Sequence, residues 1–441
     1  MDLKSSPIAS PLSGSYRPPG DKSVSHRLAL LSALAEGTSY IQGFLDSADT
    51  VATAMATEAM GARIQWERGP NGLELVVEGG DLHPPQGPLD FGNSGTGIRL
   101  MAGVLAGLGH MPEFAGQCIE LIGDESLSRR PMMRIVEPLQ ALGGDIEASE
   151  GHAPLYVRPR QLTGQKQVLK VASAQVKSAI LLAGLNASGS TQVSEPTPSR
   201  DHTERLLQAF GVQLDRISET EVSLLGGQTL SPGHFSVPGD ISSAAFIMAA
   251  GLLVPGSKIV LEHVGLNSTR DGILRVIEAM GADIEVVGDL TGPGEPIGGL
   301  TIKSTPLEGV TIPAEWVPLA IDEFPIIMGM AAMAEGETVV AGAEELRVKE
   351  SDRLALMCSQ LSKLGVDVEE THDGAVIRGG QLHGGIVDCD GDHRIAMTFA
   401  VLGLVAESPI IIRDAHWMQT SYPGFVEDMN RLGAQLEWLA S

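Results

Sequence analysis

The chain has 441 residues, 43% of them apolar and 19% charged, with a formal net charge of −25. That length asks for two domains, and the composition is that of a globular protein. So acidic a chain lacks the basic face that nucleic acid or an anionic membrane surface requires, and any local basic cluster stands out against the background.

Residues 1–20 contain no apolar run of signal-peptide kind, and no stretch of about 18 apolar residues occurs anywhere, so the expected setting is the cytoplasm, with no membrane span. Cys118, Cys358 and Cys389 share no metal-ligand spacing, which speaks against structural zinc and a disulfide framework. Cys118 lies in an apolar stretch and is expected in the core.

The first element with chemical content is Gly20-Asp21-Lys22-Ser23-Val24-Ser25-His26-Arg27, which opens an apolar helical stretch. Backbone N–H groups, the helix dipole and two cations at such a start favour an anion; an ordinary capped turn is the plain alternative. The glycine spacing of a P-loop is absent. Met60-Gly61-Ala62 follows, a cassette of apolar residue, glycine and small residue ahead of a strand-like run. Gly92-Asn93-Ser94-Gly95-Thr96-Gly97 opens a second apolar stretch. Its spacing is not the dinucleotide fingerprint, but glycines let a ligand approach the backbone closely.

Ser128-Arg129-Arg130-Pro131-Met132 sets a cation pair before a helix-starting proline, and Leu142-Gly143 repeats the cassette. Ser173-Ala174-Gln175-Val176-Lys177 opens a third apolar stretch. Pro198-Ser199-Arg200-Asp201-His202-Thr203 leads into a helix that ends at the next cassette, Phe210-Gly211. Further apolar stretches open at Asp240, Asp322 and Asp392, and further cassettes stand at Met280-Gly281, Leu364-Gly365 and Leu432-Gly433. Asp322-Glu323-Phe324-Pro325 places carboxylates against an apolar helix, where a raised pKa would suit a general acid or base; a helix cap is the plain alternative. Glu345 to Arg353 is the densest charged run and reads, taken alone, as a solvated helix face. Asp388-Cys389-Asp390-Gly391-Asp392 has a metal-like look but lacks the Glu a calcium loop needs at its twelfth position.

The first three cassette glycines map onto the last three at offsets of 220, 222 and 222 residues (Gly61 to Gly281, Gly143 to Gly365, Gly211 to Gly433). One unit was tripled and the triplet doubled. Each unit reads as strands with two helices, one apolar nearly all round and therefore buried, one more exposed. Arg17-Pro18-Pro19-Gly20-Asp21 resembles Ser236-Val237-Pro238-Gly239-Asp240, which puts the crossings between lobes at both points. The expected domains are residues 21–239, and residues 1–20 with 240–441, with a cleft between them that takes a small anionic molecule. The residues alone do not give the reaction.

Taken together and in order, Gly-Asp-Lys-Ser-Val-Ser-His-Arg, Gly-Asn-Ser-Gly-Thr, Arg-Arg-Pro-Met, Ser-Ala-Gln-Val-Lys-Ser, Arg-Asp-His-Thr-Glu, Asp-Glu-Phe-Pro, Leu-Arg-Val-Lys-Glu-Ser-Asp-Arg and Asp-His-Arg-Ile-Ala-Met closely resemble the 5-enolpyruvylshikimate-3-phosphate synthase family, from about residue 10 to the C-terminus. The resemblance implies an α/β fold, an inside-out α/β barrel of six repeats in two lobes. It implies transfer of the enolpyruvyl group of phosphoenolpyruvate to the 5-hydroxyl of shikimate-3-phosphate, with release of phosphate, without metal or organic cofactor. By motif match, Lys22, Ser23, Arg27, Ser173, Ala174, Gln175, Ser199, Arg200, Asp322 and Lys349 would hold shikimate-3-phosphate. Lys22, Gly95, Thr96, Arg130, Gln175, Arg353 and Arg394 would hold phosphoenolpyruvate, where the arginine fork suits carboxylate and phosphate. Glu350 is the candidate proton donor to the methylene, Asp322 or Lys349 the acceptor from the hydroxyl, and Lys22 the group that meets the departing phosphate.

One departure stands near the C-terminus: Gln419-Thr420-Ser421-Tyr422-Pro423 has Thr420 where some members have Lys. A sister subgroup shares that pattern. Gly95, at a position linked in the family to glyphosate binding, is unsubstituted, which implies sensitivity. Two other readings are weighed. A transferase of the same fold acting on UDP-N-acetylglucosamine typically has Lys-Asn where this chain has Lys22-Ser23, and a reactive Cys in the loop of Arg129 and Arg130, which holds none here. A non-catalytic anion sensor would not require acids beside its cations. A monomer that closes on shikimate-3-phosphate is expected.

Overall fold

The computed structural model describes residues 1–288 and 294–439. Among them are twelve helices of eight residues or more, and they alternate between two kinds. The buried ones are α1 (Lys22–Leu34), α3 (Gly95–Gly107), α5 (Ala174–Gly184), α7 (Ile241–Leu253), α9 (Phe324–Ala331) and α11 (His393–Leu402). Every residue of α9 and α11 is buried; α9 is apolar throughout, as a helix buried on all sides requires, while α11 also buries His393, Arg394 and Thr398. The more exposed ones are α2 (Ala48–Ala59), α4 (Met133–Ala141), α6 (His202–Ala209), α8 (Gly272–Ala279), α10 (Arg353–Lys363) and α12 (Phe425–Leu432).

All six cassette glycines sit just past an exposed helix, in left-handed backbone: φ is +109° at Gly61, +92° at Gly143, +86° at Gly211, +92° at Gly281, +92° at Gly365 and +113° at Gly433. Only glycine adopts this readily, so the repeat seen in the sequence is a repeated helix stop. A strand follows each one, for example Arg63–Gly69 after Gly61 and Leu436–Trp438 after Gly433.

Among the described residues there are six sheets; five share one four-stranded plan, and the other has three strands, Glu337–Val340 and Asp367–Glu370 both antiparallel to Ala375–Arg378. In the first, Gly37–Phe44 pairs in parallel with His234–Ser236 and antiparallel with Gly72–Gly79, which pairs antiparallel with Arg63–Gly69. In the last, Leu3–Ser5 from the N-terminus takes the third place, antiparallel to both Ile410–Arg413 and Leu436–Trp438. The backbone groups two compact units, one of Met1–Pro19, Gly239–Thr291 and Pro296–Ser441, the other of Gly20–Pro238 and Gly292–Glu295. Each has its own continuous apolar core.

Two expectations change. Cys118 is exposed rather than in the core. It immediately precedes the strand Ile119–Ile122, whose alternation sends Ile119 and Leu121 inward and leaves its neighbour outside. Pro131 does not start a helix: Met132 takes the cap position and α4 begins at Met133.

Candidate active site

In the unit that contains α1, the helix start is already occupied by a carboxylate. Asp21 caps α1, its Oδ1 accepting from Val24 N at 2.9 Å. The dipole is therefore partly satisfied from within, and recognition of an external anion falls to side chains. Lys22, the first residue of α1, forms an ion pair with Asp49, a half-buried cation against a buried acid. Ser23 follows it, half-buried. Arg27 is buried one turn on, donating from Nε to Thr203 Oγ1 at 2.7 Å, from Nη1 to Ser23 O at 2.9 Å and from Nη2 to Ser178 Oγ at 2.8 Å. Burial pulls its pKa down to about 10 despite Glu204 and Asp21, with Arg200 adding to the depression.

Gly95 is the first residue of α3, capped by Ser94 Oγ, which accepts from Gly97 N at 3.0 Å. A Cβ on Gly95 would stand 3.0 Å from Arg130 Nη1 and 3.2 Å from Arg99 Nη1. Two guanidinium groups thus converge on the space a side chain would fill. Both are held from behind. Arg130 Nη2 donates to Asn93 Oδ1 at 2.5 Å, and Asn93 in turn donates to Asp124 Oδ2 at 2.9 Å. Arg99 Nη1 donates to Gln175 Oε1 at 2.7 Å and its Nη2 to Pro131 O at 3.1 Å; Gln175 Nε2 donates to Thr96 Oγ1 at 3.0 Å. Gly95, Thr96, Arg130 and Gln175 are therefore one cluster. Ser173 is the cap of α5 and Ala174 its first residue. Ser199 and Arg200 lie in the turn that leads into α6.

The other unit contributes a cluster centred on Arg353, which is 1% exposed. Its Nε donates to Asp392 Oδ2 at 2.8 Å and its Nη2 to Glu350 Oε2 at 2.6 Å, while Nη1 faces Asp322 Oδ1 at 3.5 Å. Nη1 makes no hydrogen bond, which leaves a buried donor for an incoming anion. Lys349 Nζ lies 3.4 Å from the same Asp322 oxygen. Burial alone would lower the Arg353 pKa, but Asp392, Glu350 and Asp322 more than offset it and hold the group charged. Asp392 also caps α11, accepting from Arg394 N at 2.9 Å. The Arg394 guanidinium stands 3.8 Å from Glu323, a fully buried acid that also accepts from Ser242. The charged run from Glu345 is thus no solvated helix face: Glu344–Val348 is a 3-10 turn, and Lys349 and Glu350 fill the gap before α10.

Among the described residues no group of three His, Cys, Asp or Glu side chains could hold a metal ion. Cations beside carboxylates, with two guanidinium groups facing Gly95, suit multiply charged anions and proton transfer.

Three residues that the sequence did not single out belong to these clusters: Asp49, Arg99 and Asp124. Arg99 left a signal, as the one cation inside the apolar run of α3; a buried arginine needs partners. The other two are acids at ordinary helix starts, where nothing local announces a distant partner.

A family model described as EPSP synthase (3-phosphoshikimate 1-carboxyvinyltransferase) matches residues 7–429. A 3-phosphoshikimate 1-carboxyvinyltransferase of Methylococcus capsulatus is 48% identical over 433 residues, covering 97% of this chain and 96% of that one. One of Nitrosococcus oceani is 49% identical over 423 residues, covering 94% and 92%. A solved structure of EPSP synthase from Acinetobacter baumannii superposes with a TM-score of 0.86 at 42% identity, covering 99% of both chains.

Proposed function

The chain belongs to the EPSP synthase family, and from that premise we propose how its own residues carry the family's reaction. The enzyme transfers the enolpyruvyl group of phosphoenolpyruvate to the 5-hydroxyl of shikimate-3-phosphate and releases phosphate, a step of the shikimate pathway.

In the proposed mechanism the 5-hydroxyl attacks C2 of phosphoenolpyruvate while C3 takes a proton. Glu350 gives that proton and Asp322 or Lys349 takes the one leaving the hydroxyl. The addition product then loses phosphate, met by Lys22, and returns the C3 proton, so that the groups exchange roles between the two halves. Arg130, Arg353 and Arg394 grip phosphoenolpyruvate beside Gly95, Thr96, Gln175 and Lys22. Lys22, Ser23, Arg27, Asp322 and Lys349 form the shikimate-3-phosphate site together with Ser173, Ala174, Gln175, Ser199 and Arg200. Supporting this reading, the proposed donor and one proposed acceptor face the same guanidinium, Glu350 at 2.6 Å and Asp322 at 3.5 Å from Arg353.

Monomeric state, a cytoplasmic setting and the absence of nucleic-acid and membrane partners belong to the proposal. Among the described residues no helix is long and apolar enough to cross a membrane. The test is phosphate release from phosphoenolpyruvate, with shikimate-3-phosphate and, separately, with UDP-N-acetylglucosamine. Release with the first alone is expected. Release with the second alone would keep the fold and discard the residue roles.

A further inference from the structure

Behind the residues assigned to shikimate-3-phosphate lies a buried ion cluster that the mechanism does not use. Lys177 Nζ lies 3.0 Å from Glu195 Oε2, 2.8 Å from Glu204 Oε1 and 3.2 Å from Ser199 O. Lys177 and Glu195 are each 5% exposed, Glu204 6% and Ser199 8%. An ammonium has three protons, and here three acceptors take them, so Lys177 has none left for a substrate. Burial works against its charge, but the two carboxylates outweigh burial and raise its pKa.

Glu195 has two further partners. Its Oε1 accepts from Ser173 N at 3.0 Å, and Ser199 Oγ lies 2.7 Å and 2.8 Å from its two oxygens. An ionised carboxylate gives no proton, so Ser199 is the donor and its only proton points inward. Ser173 differs: its Oγ accepts from Val176 N at 3.5 Å and its own proton remains to be given. One carboxylate thus ties together the cap of α5 and the turn that carries Arg200. The cluster reaches Arg27 as well. Glu204 neighbours Thr203, whose Oγ1 accepts from Arg27 Nε and donates to Ser178 Oγ at 2.6 Å.

We propose that Glu195, neutralised by Lys177, is the positioning residue of the shikimate-3-phosphate site: it sets the distance between Ser173 and the Ser199-Arg200 turn, and Ser199 serves by docking that turn rather than by donating to the phosphate. The proposal rests on the assignment of Ser173 and Arg200 to this substrate. It deepens that assignment by giving the two arms a common anchor. Pre-set donors lose less freedom on binding, which is how a residue that never touches the ligand changes its affinity.

The test is steady-state kinetics on Glu195→Gln, Ser199→Ala, the double variant and Arg200→Ala. Gln is isosteric, and Lys177 keeps Glu204 as a partner, so no buried charge is stranded. Glu195→Gln should raise KM for shikimate-3-phosphate about ten-fold, the size of one charge-assisted hydrogen bond. kcat and KM for phosphoenolpyruvate should stay within about two-fold, the mark of lost uniform binding. Ser199→Ala should raise KM for shikimate-3-phosphate to a similar degree, and the double variant should be no worse than either, because both cut one link. An unchanged KM in Glu195→Gln, a general loss of kcat with both KM values, or effects that multiply in the double variant would each overturn the proposal. Arg200→Ala separates the two levels. If it leaves KM for shikimate-3-phosphate untouched, the substrate assignment falls and the proposal with it; if it raises KM while Glu195→Gln does not, the anchor alone falls.

Discussion

Arg353 and Asp392 form a fully interior ion pair: Nε to Oδ2 is 2.8 Å, with the arginine 1% and the aspartate 0% exposed. Removing one partner of such a pair leaves the other charge uncompensated, at a cost of about 3–5 kcal/mol. Asp392→Asn keeps the shape and the cap of α11 but strands Arg353 on Glu350 and Asp322, so a loss near the lower end, about 3 kcal/mol, is expected in urea unfolding. Burial opposes the Asp392 charge, yet Arg353 and His393 more than compensate and hold its pKa below the ordinary value of 3.8. A depressed folded pKa means that this stabilisation is complete above about pH 4 and is lost as pH falls through the folded value. The variant should therefore show a shallower decline of stability on the acid side. An equal decline in both proteins would refute the assignment.

Glu350→Gln should lower kcat by about 10²–10⁴, the range for a lost general acid or base. Gln can still accept from Arg353 Nη2, so the packing survives and only the proton is missing. A near-normal kcat would remove Glu350 from the chemistry.

Gly95→Ala inserts a methyl 3.0 Å from Arg130 Nη1 and 3.2 Å from Arg99 Nη1. Both guanidinium groups must give by a few tenths of an ångström, or an anion seated against them must. KM for phosphoenolpyruvate should rise about ten-fold, a cost near 1.4 kcal/mol, while KM for shikimate-3-phosphate stays within about two-fold. A rise in both would mean that α3 had moved as a whole.

His26 is buried, with Nδ1 2.8 Å from Thr53 Oγ1. Burial first, then Lys22 and Arg27, holds its pKa well below 6.5. Between the folded and unfolded values the unfolded chain binds the extra proton, so stability rises with pH in that window. The contribution is complete above about pH 6.5 and is lost as pH falls below it, at up to about 1.4 kcal/mol per pH unit. His26→Gln should flatten the urea midpoint between pH 7 and pH 5. A slope equal to that of the parent would show the imidazole to be protonated in the folded state.

Gly103 brings α3 against α5, where an added Cβ would stand 2.4 Å from Ala179 O. Gly103→Ala should destabilise by about 1–3 kcal/mol through overpacking. It should also disturb the Arg99–Gln175 hydrogen bond that joins the same two helices, so KM for phosphoenolpyruvate should rise along with the lost stability.

The repeat was legible because its signal is local: each of Gly61, Gly143 and Gly211 must supply left-handed backbone, and no other residue does so cheaply. The buried helices were legible because uniformly apolar runs have one destination. The partnerships were not. Nothing near Asp49 announces Lys22, and nothing near Glu195 announces Lys177; those pairs exist because α1 packs on α2 and because the strand Ser190–Ser194 runs beside α5. The carboxylate of Asp21 illustrates the same limit. A helix start rich in cations reads as an open anion site until the cap is seen to be its own aspartate.

The six cassette glycines also differ in how freely evolution can rewrite them. At Gly143 and Gly281 a new Cβ would meet nothing within 4 Å, so a codon change to Asn carries only the conformational cost, about 1 kcal/mol. At Gly61 the same atom would meet Asp81 O at 2.6 Å, and at Gly365 the ring of His383 at 2.5 Å. The duplicated unit therefore passed on one turn in six copies but not one mutational tolerance, and drift should erase the family likeness of the repeats first at Gly143 and Gly281.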